Sequence, residues 1–230
     1  MPDFLEGEVL LINKPLNWTS FDVVKKIKYL LKRKLSVKKI KVGHAGTLDP
    51  LATGLLIVCT GKKTKSIAQL QELDKEYTGT FVVGAQTASY DLESPVEKEQ
   101  CIKHLLEEDI LKAKEPLAGE IIQYPPQFSA KRIDGRRAYI MARKGKEVKM
   151  NPVKLFVNEF EITSMNLPEV GFRVNCSKGT YIRSLAHDFG QNLGVGAYLN
   201  SLCRTKIGEY CLSNAYDIEE VEHLILGTME

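Results

Sequence analysis

The 230-residue sequence lacks the features that mark several common classes of protein. No apolar run approaches the length needed to cross a membrane, and no apolar N-terminal stretch precedes a small-residue cleavage site. The five cysteines are far apart, without the Cys-x-x-Cys spacing of a zinc site or the pattern of a disulfide framework. P-loop and GxGxxG fingerprints are missing, and no Ser-His-Asp arrangement can be defended. We therefore expect a reduced, cytoplasmic protein that contacts no membrane and uses no metal or cofactor.

Acidic residues are missing from one long stretch. The net charge of the whole sequence is only +3, but nine Lys and Arg residues and no Asp or Glu lie between Lys25 and Lys41. Such a stretch produces a positive field that attracts phosphate groups. The alternative is a solvated helix face followed by a loop, which needs no ligand. The charge pattern alone leaves both interpretations open.

Composition and length are those of a globular protein. Hydrophobic residues make up 43% and charged residues 27% of the chain, which argues against disorder and against a fibrous repeat. A chain of 230 residues suits one large domain or two small ones. Because the sequence contains no recognisable linker and no internal repeat, we predict a single domain over residues 1–230.

Apolar periodicity predicts both helices and strands. The helical spacing of Phe21, Val24, Ile27 and Leu31 predicts an amphipathic helix over residues 21–34 with lysines on its opposite face. Strands are predicted over residues 8–14, 55–61, 76–84, 155–162 and 170–176. Further helices are predicted over residues 62–74, 97–114 and 217–226, and another that begins near residue 180. A short segment of undefined type is predicted over residues 194–207. Strands outnumber what a regular βαβ alternation explains. We therefore predict an α+β fold with a mixed, mostly antiparallel central sheet and flanking helices and loops.

The motif GHAGTLDPLATGLL (Gly43–Leu56) surrounds one acid with small residues. Its glycines, alanines and threonines allow a large ligand to approach the backbone closely. Asp49 is the only acid in the motif, and Pro50 biases its backbone towards extended geometry. A short apolar run follows that is typical of a buried strand. The motif predicts a carboxylate on a stiff turn at the mouth of a sheet.

Four other side chains are candidates for a site around Asp49. Arg183 is the cation that we expect to pair with Asp49, because an opposite charge nearby lowers the pKa of a carboxylate and keeps it ionised. The alternative is that Arg183 is an exposed arginine on the surface of a helix. Tyr77 and Tyr181 could stack on a base, or belong to the core with the hydroxyl at its edge. His44 lies among glycines and not on an apolar helical face, which disfavours a satisfied core histidine, and no second ligand stands at metal spacing.

The segment over about residues 121–150 has a different character. It combines two prolines, the turn Asp134-Gly135, tyrosines and basic residues that include Lys131 and Arg132. Aromatic rings among cations suit stacking on, and phosphate contact with, looped or single-stranded nucleic acid. We predict a hairpin-like, RNA-binding insertion with a short helix around residues 137–143. An ordinary surface insertion is the alternative.

Four blocks of the sequence, taken in order, resemble the TruB family of tRNA pseudouridine synthases. The resemblance covers the chain from about Glu8 to Gly208, and the opening motif alone is highly specific. The blocks are GHAGTLDPLATGLLIVCTGKKTK, DKEYTGTFVVGAQTASYD, QYPPQFSAKRIDGRRAYIMARKGKEV and CSKGTYIRSLAHDFGQNLG. A further segment, KPLNWTS, is similar to the family's KPxGxTS and contains Lys14.

The resemblance implies a pseudouridine synthase fold and an activity. The implied reaction isomerises the T-loop uridine of tRNA, position 55 in tRNA numbering, from an N-glycoside to a C-glycoside without cofactor or metal. Asp49 matches the family's nucleophile towards the flipped nucleotide, acting by attack on the base, by attack on the sugar or through glycal formation. Tyr77 matches the tyrosine that stacks on the target base and is a candidate for proton abstraction, and Arg183 matches the arginine that pairs with the aspartate.

The same match implies a set of substrate-binding residues. His44 corresponds to the histidine that enters the space left by the flipped base, and Tyr181 and Leu202 to positions that line the pocket. With Lys14 from KPLNWTS and with Lys131 and Arg132 from the basic insertion, the complete predicted substrate-binding set is His44, Tyr181, Leu202, Lys14, Lys131 and Arg132.

Two features depart from the family pattern. Asn17 stands where KPxGxTS has glycine, and asparagine tolerates the left-handed backbone that such a turn requires. Many relatives continue into a C-terminal PUA or PUA-like RNA-binding domain, whereas this sequence ends at Glu230, so we expect a form without that domain. The expected partner is the T stem-loop of tRNA, bound by a monomer with no obligate protein partner.

Two other functions stay open on sequence grounds. The basic segments would also serve an RNA chaperone that opens and refolds tRNA and does not need Asp49. A synthase acting on another RNA is a further alternative.

Overall fold

The computed structural model describes residues 2–126, 128, 132–133, 136–137, 141 and 150–227. These residues form two compact units. Unit 1 comprises Met1–Tyr77 and Leu202–Glu230, and unit 2 comprises Thr78–Ser201. That the whole chain acts as one catalytic domain stays a prediction.

Strands and helices are interspersed along the described residues. The strands are β1 Val9–Lys14, β2 Val42–His44, β3 Ala52–Thr60, β4 Lys75–Val83, β5 Gln86–Thr87, β6 Val96–Glu97, β7 Gly119–Gln123, β8 Arg132–Ile133, β9 Arg136–Arg137, β10 Val153–Asn166, β11 Glu169–Cys176, β12 Ala197–Ile207 and β13 Tyr210–Cys211. The α-helices are α1 Ser20–Leu35, α2 Ile67–Glu72, α3 Glu107–Lys114, α4 Ile182–Leu193 and α5 Ile218–Leu226. Short 3-10 helices cover residues 61–66, 115–117 and 212–214. None of the described helices is both long and apolar enough to cross a membrane.

Unit 1 is built on a mixed sheet. Strand β3 lies between β1, which is antiparallel to it, and the Leu202–Arg204 part of β12, which is parallel to it. Strand β2 also pairs antiparallel with the far end of β3. The side chains of β3 are almost entirely buried, as its apolar sequence predicts. The sheet therefore places the start of β3, directly after Asp49, beside β12.

Helix α1 covers the sheet of unit 1 and begins where the sequence predicts. Thr19 caps it, because its hydroxyl accepts from the Asp22 amide while the Asp22 carboxylate accepts from the Thr19 amide. The buried stripe of α1 packs with α5 in one core. Its members are Val23, Val24, Ile27, Leu30 and Leu31.

The prediction that Phe21 belongs to this stripe is wrong, since its side chain is 59% exposed. At about 100° per residue, Phe21 lies roughly 200° around the helix from Val23. The ring instead lies under the ammonium of Lys25, which is 4.9 Å from the ring centroid.

Unit 2 contains antiparallel strand pairs around an aromatic core. Its strand order is β4-β11-β10-β7, and β10 is antiparallel to both of its neighbours. The rings of Phe81 and Phe172 stack at 4.2 Å between centroids, with Phe160 and Phe189 against them. The strand pairing and the helices of the described residues confirm the predicted α+β class and the mixed, mostly antiparallel sheet.

Three predicted elements differ in the structure. The helix expected over residues 97–114 begins only at Glu107, because Lys98 has a left-handed φ of 52° and the Leu106 amide is capped by Asp109. The helix expected over residues 62–74 is a 3-10 turn followed by the short α2. The short segment expected over residues 194–207 is the 11-residue strand β12, whose polar residues hide its strand pattern.

The predicted hairpin in the basic insertion is present in part. Strands β8 and β9 pair antiparallel on either side of residues 134–135, where the Asp-Gly turn was predicted. Arg137 belongs to β9 and not to a helix. Most of the other residues between 127 and 149, including Lys131, lie outside the described residues.

Candidate active site

Asp49 lies on a seven-residue connection between β2 and β3, which we call the aspartate loop (residues 45–51). The Ala45 amide donates to the Ile57 carbonyl at 2.9 Å, which closes the start of the loop against β3. The Ala52 amide donates to the Asp49 carbonyl at 3.1 Å, which makes a tight turn directly before the strand. The stiff turn predicted from Pro50 is therefore held by backbone hydrogen bonds at both ends.

Residues of the KPLNWTS segment hold the backbone on either side of Asp49. The buried hydroxyl of Ser20 accepts from the Leu48 amide at 2.8 Å and donates to the Leu48 carbonyl at 3.1 Å. The Asn17 amide donates to the Pro50 carbonyl at 2.8 Å. Asn17 has φ 65°, so the left-handed turn expected at this departure from glycine is confirmed.

Lys14 is completely buried at the end of β1 and interacts electrostatically with Asp49. Its ammonium donates to the carbonyls of Pro15 and Trp18 at 2.9 and 2.7 Å. Burial lowers the pKa of Lys14 to about 8, a shift that the charge of Asp49 opposes and the charge of Arg204 increases. Since the ammonium donates to the chain's own carbonyls, it contributes a fixed positive charge to the site.

His44 ends β2, next to the aspartate loop. Burial is the largest cause that lowers the pKa of its imidazole, and the cation of Arg204 lowers it further, so the ring is neutral near pH 7. Its buried Nδ1 atom has no hydrogen-bond partner among the described residues, and a backbone hydrogen bond at Gly46 opposes part of the lowering of the pKa of the ring.

Leu202 and Tyr77 belong to the same unit as Asp49. Leu202 pairs with Ala52 in the parallel ladder, and its carbonyl accepts from the Thr53 hydroxyl at 3.3 Å. Tyr77 is buried in β4 beside Glu76, whose carboxylate accepts from the Thr205 hydroxyl at 2.8 Å. Unit 1 thus brings together the two strands that carry Leu202 and Tyr77.

Arg204 is a member of this region that the sequence analysis missed. Its side chain is 1% exposed and donates to the carbonyls of Leu55 and Gly46. A strand prediction for residues 197–207 would have placed Arg204 on the same face as Leu202, two residues earlier, because side chains alternate along a strand. An arginine at an inward position of a central strand is the signal that could have found it.

Unit 2 contains Tyr181 and Arg183 at the start of α4. The side-chain amide of the buried Gln123 bonds both the amide and the carbonyl of Tyr181, at 2.8 and 3.0 Å. Arg183 is 4% exposed, and its Nη1 donates to the Phe128 carbonyl at 3.0 Å. Arg183 is therefore a buried arginine, and the alternative of a surface helix arginine is wrong.

The structure identifies Asp91 as a partner of Arg183, which the sequence analysis missed. The Asp91 Oδ2 atom lies 3.6 Å from Arg183 Nε, and both side chains are almost fully buried. The buried Ser89 hydroxyl donates to the Asp91 carbonyl at 3.0 Å and accepts from the Ser94 amide, which stiffens the loop that carries Asp91. The pairing of Arg183 with Asp49 stays a prediction.

The described residues offer no grouped metal ligands. In the described ranges, no three His, Cys, Asp or Glu side chains lie together as a metal ion would require. Of the two basic residues predicted in the insertion, Lys131 lies outside the described residues, and Arg132 is described only as part of the backbone of β8.

We expect the stability of the protein to depend on pH through Lys14. Its pKa is lower in the folded chain than its ordinary value of 10.5, so the unfolded chain binds more protons between about pH 8 and pH 10.5, and the free energy of unfolding rises with pH in that window. Lys14→Met removes this dependence. Urea denaturation at pH 7 and pH 9.5 should show the stability of the parent rising by about 2 kcal/mol relative to the variant, at about 1.4 kcal/mol per pH unit. If the free energies of unfolding of the parent and of Lys14→Met changed equally with pH, the prediction would be wrong.

We expect Asp91→Asn to destabilise the fold by about 1–3 kcal/mol, because the buried Arg183 loses its carboxylate partner while an amide keeps the shape. The free energy of unfolding in urea measures the loss. Glu161→Gln is the matched control: it weakens a bond to Arg173 in the same unit, but the Glu161 side chain is 50% exposed. The control should cost less than about 1 kcal/mol. If both variants lost the same free energy of unfolding, the buried pair would contribute no more to stability than the exposed one.

Known proteins resemble this chain in sequence over nearly its whole length. The model of the TruB family pseudouridylate synthase N-terminal domain matches residues 32–182, more than half of the chain. The tRNA pseudouridine synthase B of Flavobacterium johnsoniae is 55% identical over 217 residues, 94% of this chain and 95% of that protein. The protein of the same name from Chlorobaculum tepidum is 49% identical over 217 residues, 94% of this chain and 90% of that protein.

Solved structures agree with the sequence comparisons. A chain from the crystal structure of a Cbf5-Nop10-Gar1 complex has a TM-score of 0.72 and 28% identity, covering 99% of this chain and 58% of that chain. A chain from the structure of an H/ACA RNP bound to a substrate RNA containing 2'-deoxyuridine has a TM-score of 0.70 and 26% identity, over 99% of this chain and 57% of that chain. This chain therefore spans less than two thirds of those two. The likeness confirms the predicted pseudouridine synthase fold, and the chain belongs to the TruB family of pseudouridylate synthases, which are isomerases.

Proposed function

We propose that this protein isomerises the T-loop uridine of tRNA, position 55, to pseudouridine. In this reaction the bond from C1' of the ribose to N1 of uracil breaks and a bond from C1' to C5 forms. C5 loses its proton and N1 gains one, so that the product is an isomer of the substrate. The observation that carries the proposal is Asp49 on a loop held by hydrogen bonds on both sides, in a chain whose relatives are named tRNA pseudouridine synthase B. We further propose that it works in the cytoplasm as a monomer, without metal, cofactor or obligate protein partner.

We assign the chemistry to three residues. Asp49 is the nucleophile, and each of the three routes open to it requires a carboxylate. Tyr77 stacks on the target base and is the candidate for proton abstraction, and Arg183 stabilises the negative charge of Asp49. The rigidity of the aspartate loop supports this assignment, because an attacking group gains most when it is held in the geometry of attack.

We assign the binding of the substrate to the remaining residues. A uridine must leave its stack to react, which costs a few kcal/mol unless other groups replace the stacking. The neutral His44 fills the vacated space, and Tyr181 and Leu202 line the pocket for the extruded base. The positive charge of Lys14 favours the anionic form of Asp49, and Lys131 and Arg132 contact phosphates.

The decisive experiment is an assay of pseudouridine in an unmodified tRNA transcript. We expect the parent protein to form pseudouridine at position 55 and Asp49→Asn to lose turnover while its affinity for the transcript changes little, because an amide cannot act as the nucleophile. Glu108→Gln makes the same carboxylate-to-amide change at a side chain that is 79% exposed in unit 2, and it should keep full activity. A folded parent protein that forms no pseudouridine would refute the proposal.

A second assay compares a T-loop minihelix with a ribosomal RNA hairpin as substrates. Activity on the hairpin and not on the minihelix would favour the alternative that the protein acts on another RNA.

Helix α1 and the segment that follows it, residues 36–41, supply the positive surface for binding the RNA, which we call the α1 surface. Two cations of the basic stretch are engaged with α5, since Lys26 pairs with Glu222 and Lys34 donates to the Leu226 carbonyl. The side chains of Lys28, Arg33, Lys38, Lys39 and Lys41 are exposed, as are the rings of Phe21 and Tyr29. Cations beside exposed rings suit phosphate contact and base stacking together.

We expect the affinity for tRNA to fall steeply with salt, because each neutralised phosphate releases counterions. Fluorescence anisotropy of labelled transcript between about 50 and 200 mM salt gives the slope of log affinity against log salt. The triple change Lys28→Gln, Arg33→Gln, Lys38→Gln should make this slope shallower by about two.

The control for that experiment changes the same number of exposed cations elsewhere. Lys103→Gln, Lys112→Gln and Lys154→Gln lower the net charge equally, on unit 2. A flat salt response of the parent, or equal slopes for the two triple variants, would remove the α1 surface from the proposed binding site.

The exposed basic face of α1 also favours a second function, that of an RNA chaperone. This role needs the binding surface but not Asp49. If Asp49→Asn refolds a misfolded tRNA transcript as fast as the parent, and replaces the parent in the cell, chaperone activity dominates. If it behaves as a deletion in the cell, catalysis dominates.

A further inference from the structure

Arg204 is a buried cation of unit 1 whose hydrogen bonds converge on the segment that carries Asp49. Its Nε atom donates to the Leu55 carbonyl at 2.8 Å, and its Nη2 atom donates to the Gly46 carbonyl at 3.1 Å. Gly46 precedes Asp49 in the aspartate loop, and Leu55 follows it in β3. One planar guanidinium therefore joins the backbone before the aspartate to the backbone after it.

The backbone of Arg204 is held by the same segment. Arg204 pairs with Gly54 in the parallel ladder between β12 and β3. A Cβ atom on Gly54 would lie 2.4 Å from the Arg204 carbonyl oxygen and 2.7 Å from its amide nitrogen, so only glycine allows this approach. Because the main chain is fixed at Gly54, the side chain reaches Leu55 and Gly46 from a rigid base.

The charge of Arg204 adds to this geometry. Arg204 interacts electrostatically with Lys14 and with His44, and lowers the pKa of both. Lys14 in turn interacts with Asp49. Two buried cations near one another repel, and the carboxylate of Asp49 offers a compensating negative charge. The arrangement thus favours an ionised Asp49 without requiring that Arg204 touch it.

We propose that Arg204 is a positioning residue for the isomerisation, which clamps the backbone carbonyls of Gly46 and Leu55 so that the Asp49 carboxylate meets the nucleotide in one orientation. The proposal rests on the proposed function of Asp49. The guanidinium donates to this chain's own backbone, and the side chain is only 1% exposed, so almost none of its surface is open to a ligand. Its loss therefore acts on the rate of the chemical step and not on RNA affinity.

The test is the variant Arg204→Lys, compared with Arg173→Lys. Lysine keeps the positive charge but replaces the planar guanidinium by a single ammonium on a flexible side chain. The ammonium cannot bond the carbonyls of Gly46 and Leu55 in the same geometry. Arg173 is the matched control, since its guanidinium donates hydrogen bonds to the carboxylates of Glu159 and Glu161 on the surface of unit 2. All variants are assayed at a temperature at which urea denaturation shows them to be folded.

We expect the single-turnover rate of Arg204→Lys on a tRNA transcript to fall about 10- to 100-fold, because small misplacements of a reacting group have effects of this size. The dissociation constant for the transcript should change less than about threefold, and Arg173→Lys should keep the parent's rate. An unchanged rate in folded Arg204→Lys overturns the proposal. So does a loss of affinity equal to the loss of rate, which would place Arg204 in the RNA-binding surface.

Hydrogen exchange without RNA separates this proposal from the proposed function. In Arg204→Lys the amides of the aspartate loop should exchange faster than in the parent, whereas those of β11 in unit 2 should not change. Faster loop exchange in a protein whose parent form makes no pseudouridine would mean that the proposed function fails while the clamp exists. Unchanged loop exchange overturns the clamp whatever the activity.

Discussion

The backbone of the aspartate loop depends on donors that come from distant parts of the chain. A loop of seven residues between two strands has carbonyl and amide groups that its own short length cannot satisfy, and buried groups left without partners are costly. The hydroxyl of Ser20 bonds both polar groups of Leu48, the Asn17 amide bonds Pro50, and the guanidinium of Arg204 bonds Gly46. The aspartate loop is therefore stiff because three other parts of the chain complete its hydrogen bonds.

Buried charge is the second constraint on this region. Lys14 and Arg204 are both almost completely removed from water, which is unfavourable for isolated cations. Their hydrogen bonds to backbone carbonyls offset part of that cost, and the charge of Asp49 acts in the same direction on Lys14. Because opposite charges stabilise one another, the positive charge of Lys14 in turn favours the ionised form of Asp49.

Unit 2 shows the same principle in a second buried pair. Arg183 and Asp91 lie in a setting where side-chain amides and hydroxyls hold the backbone, with Gln123 on Tyr181 and Ser89 on the Asp91 loop. A buried guanidinium has more hydrogen-bonding capacity than one carboxylate satisfies, and a carbonyl of the neighbouring chain segment accepts from it as well. Both units thus position a residue of the candidate site through neutral side chains that bond the main chain.

The local features of this protein could be predicted from its sequence, because they depend on residues that are neighbours in the chain. They are the cap of α1, the terminal helix α5, the apolar strand β3, the left-handed turn at Asn17 and the stiff turn at Asp49. The exposure of Phe21, the strand β12 and the partners of Arg183 and the aspartate loop became apparent only in the folded chain. Arg204 and Leu55 are 149 residues apart, and β12 is a polar strand that is stable because it pairs beside β3. No local pattern encodes which distant donor will satisfy a given carbonyl, since that choice is made when the strands pair.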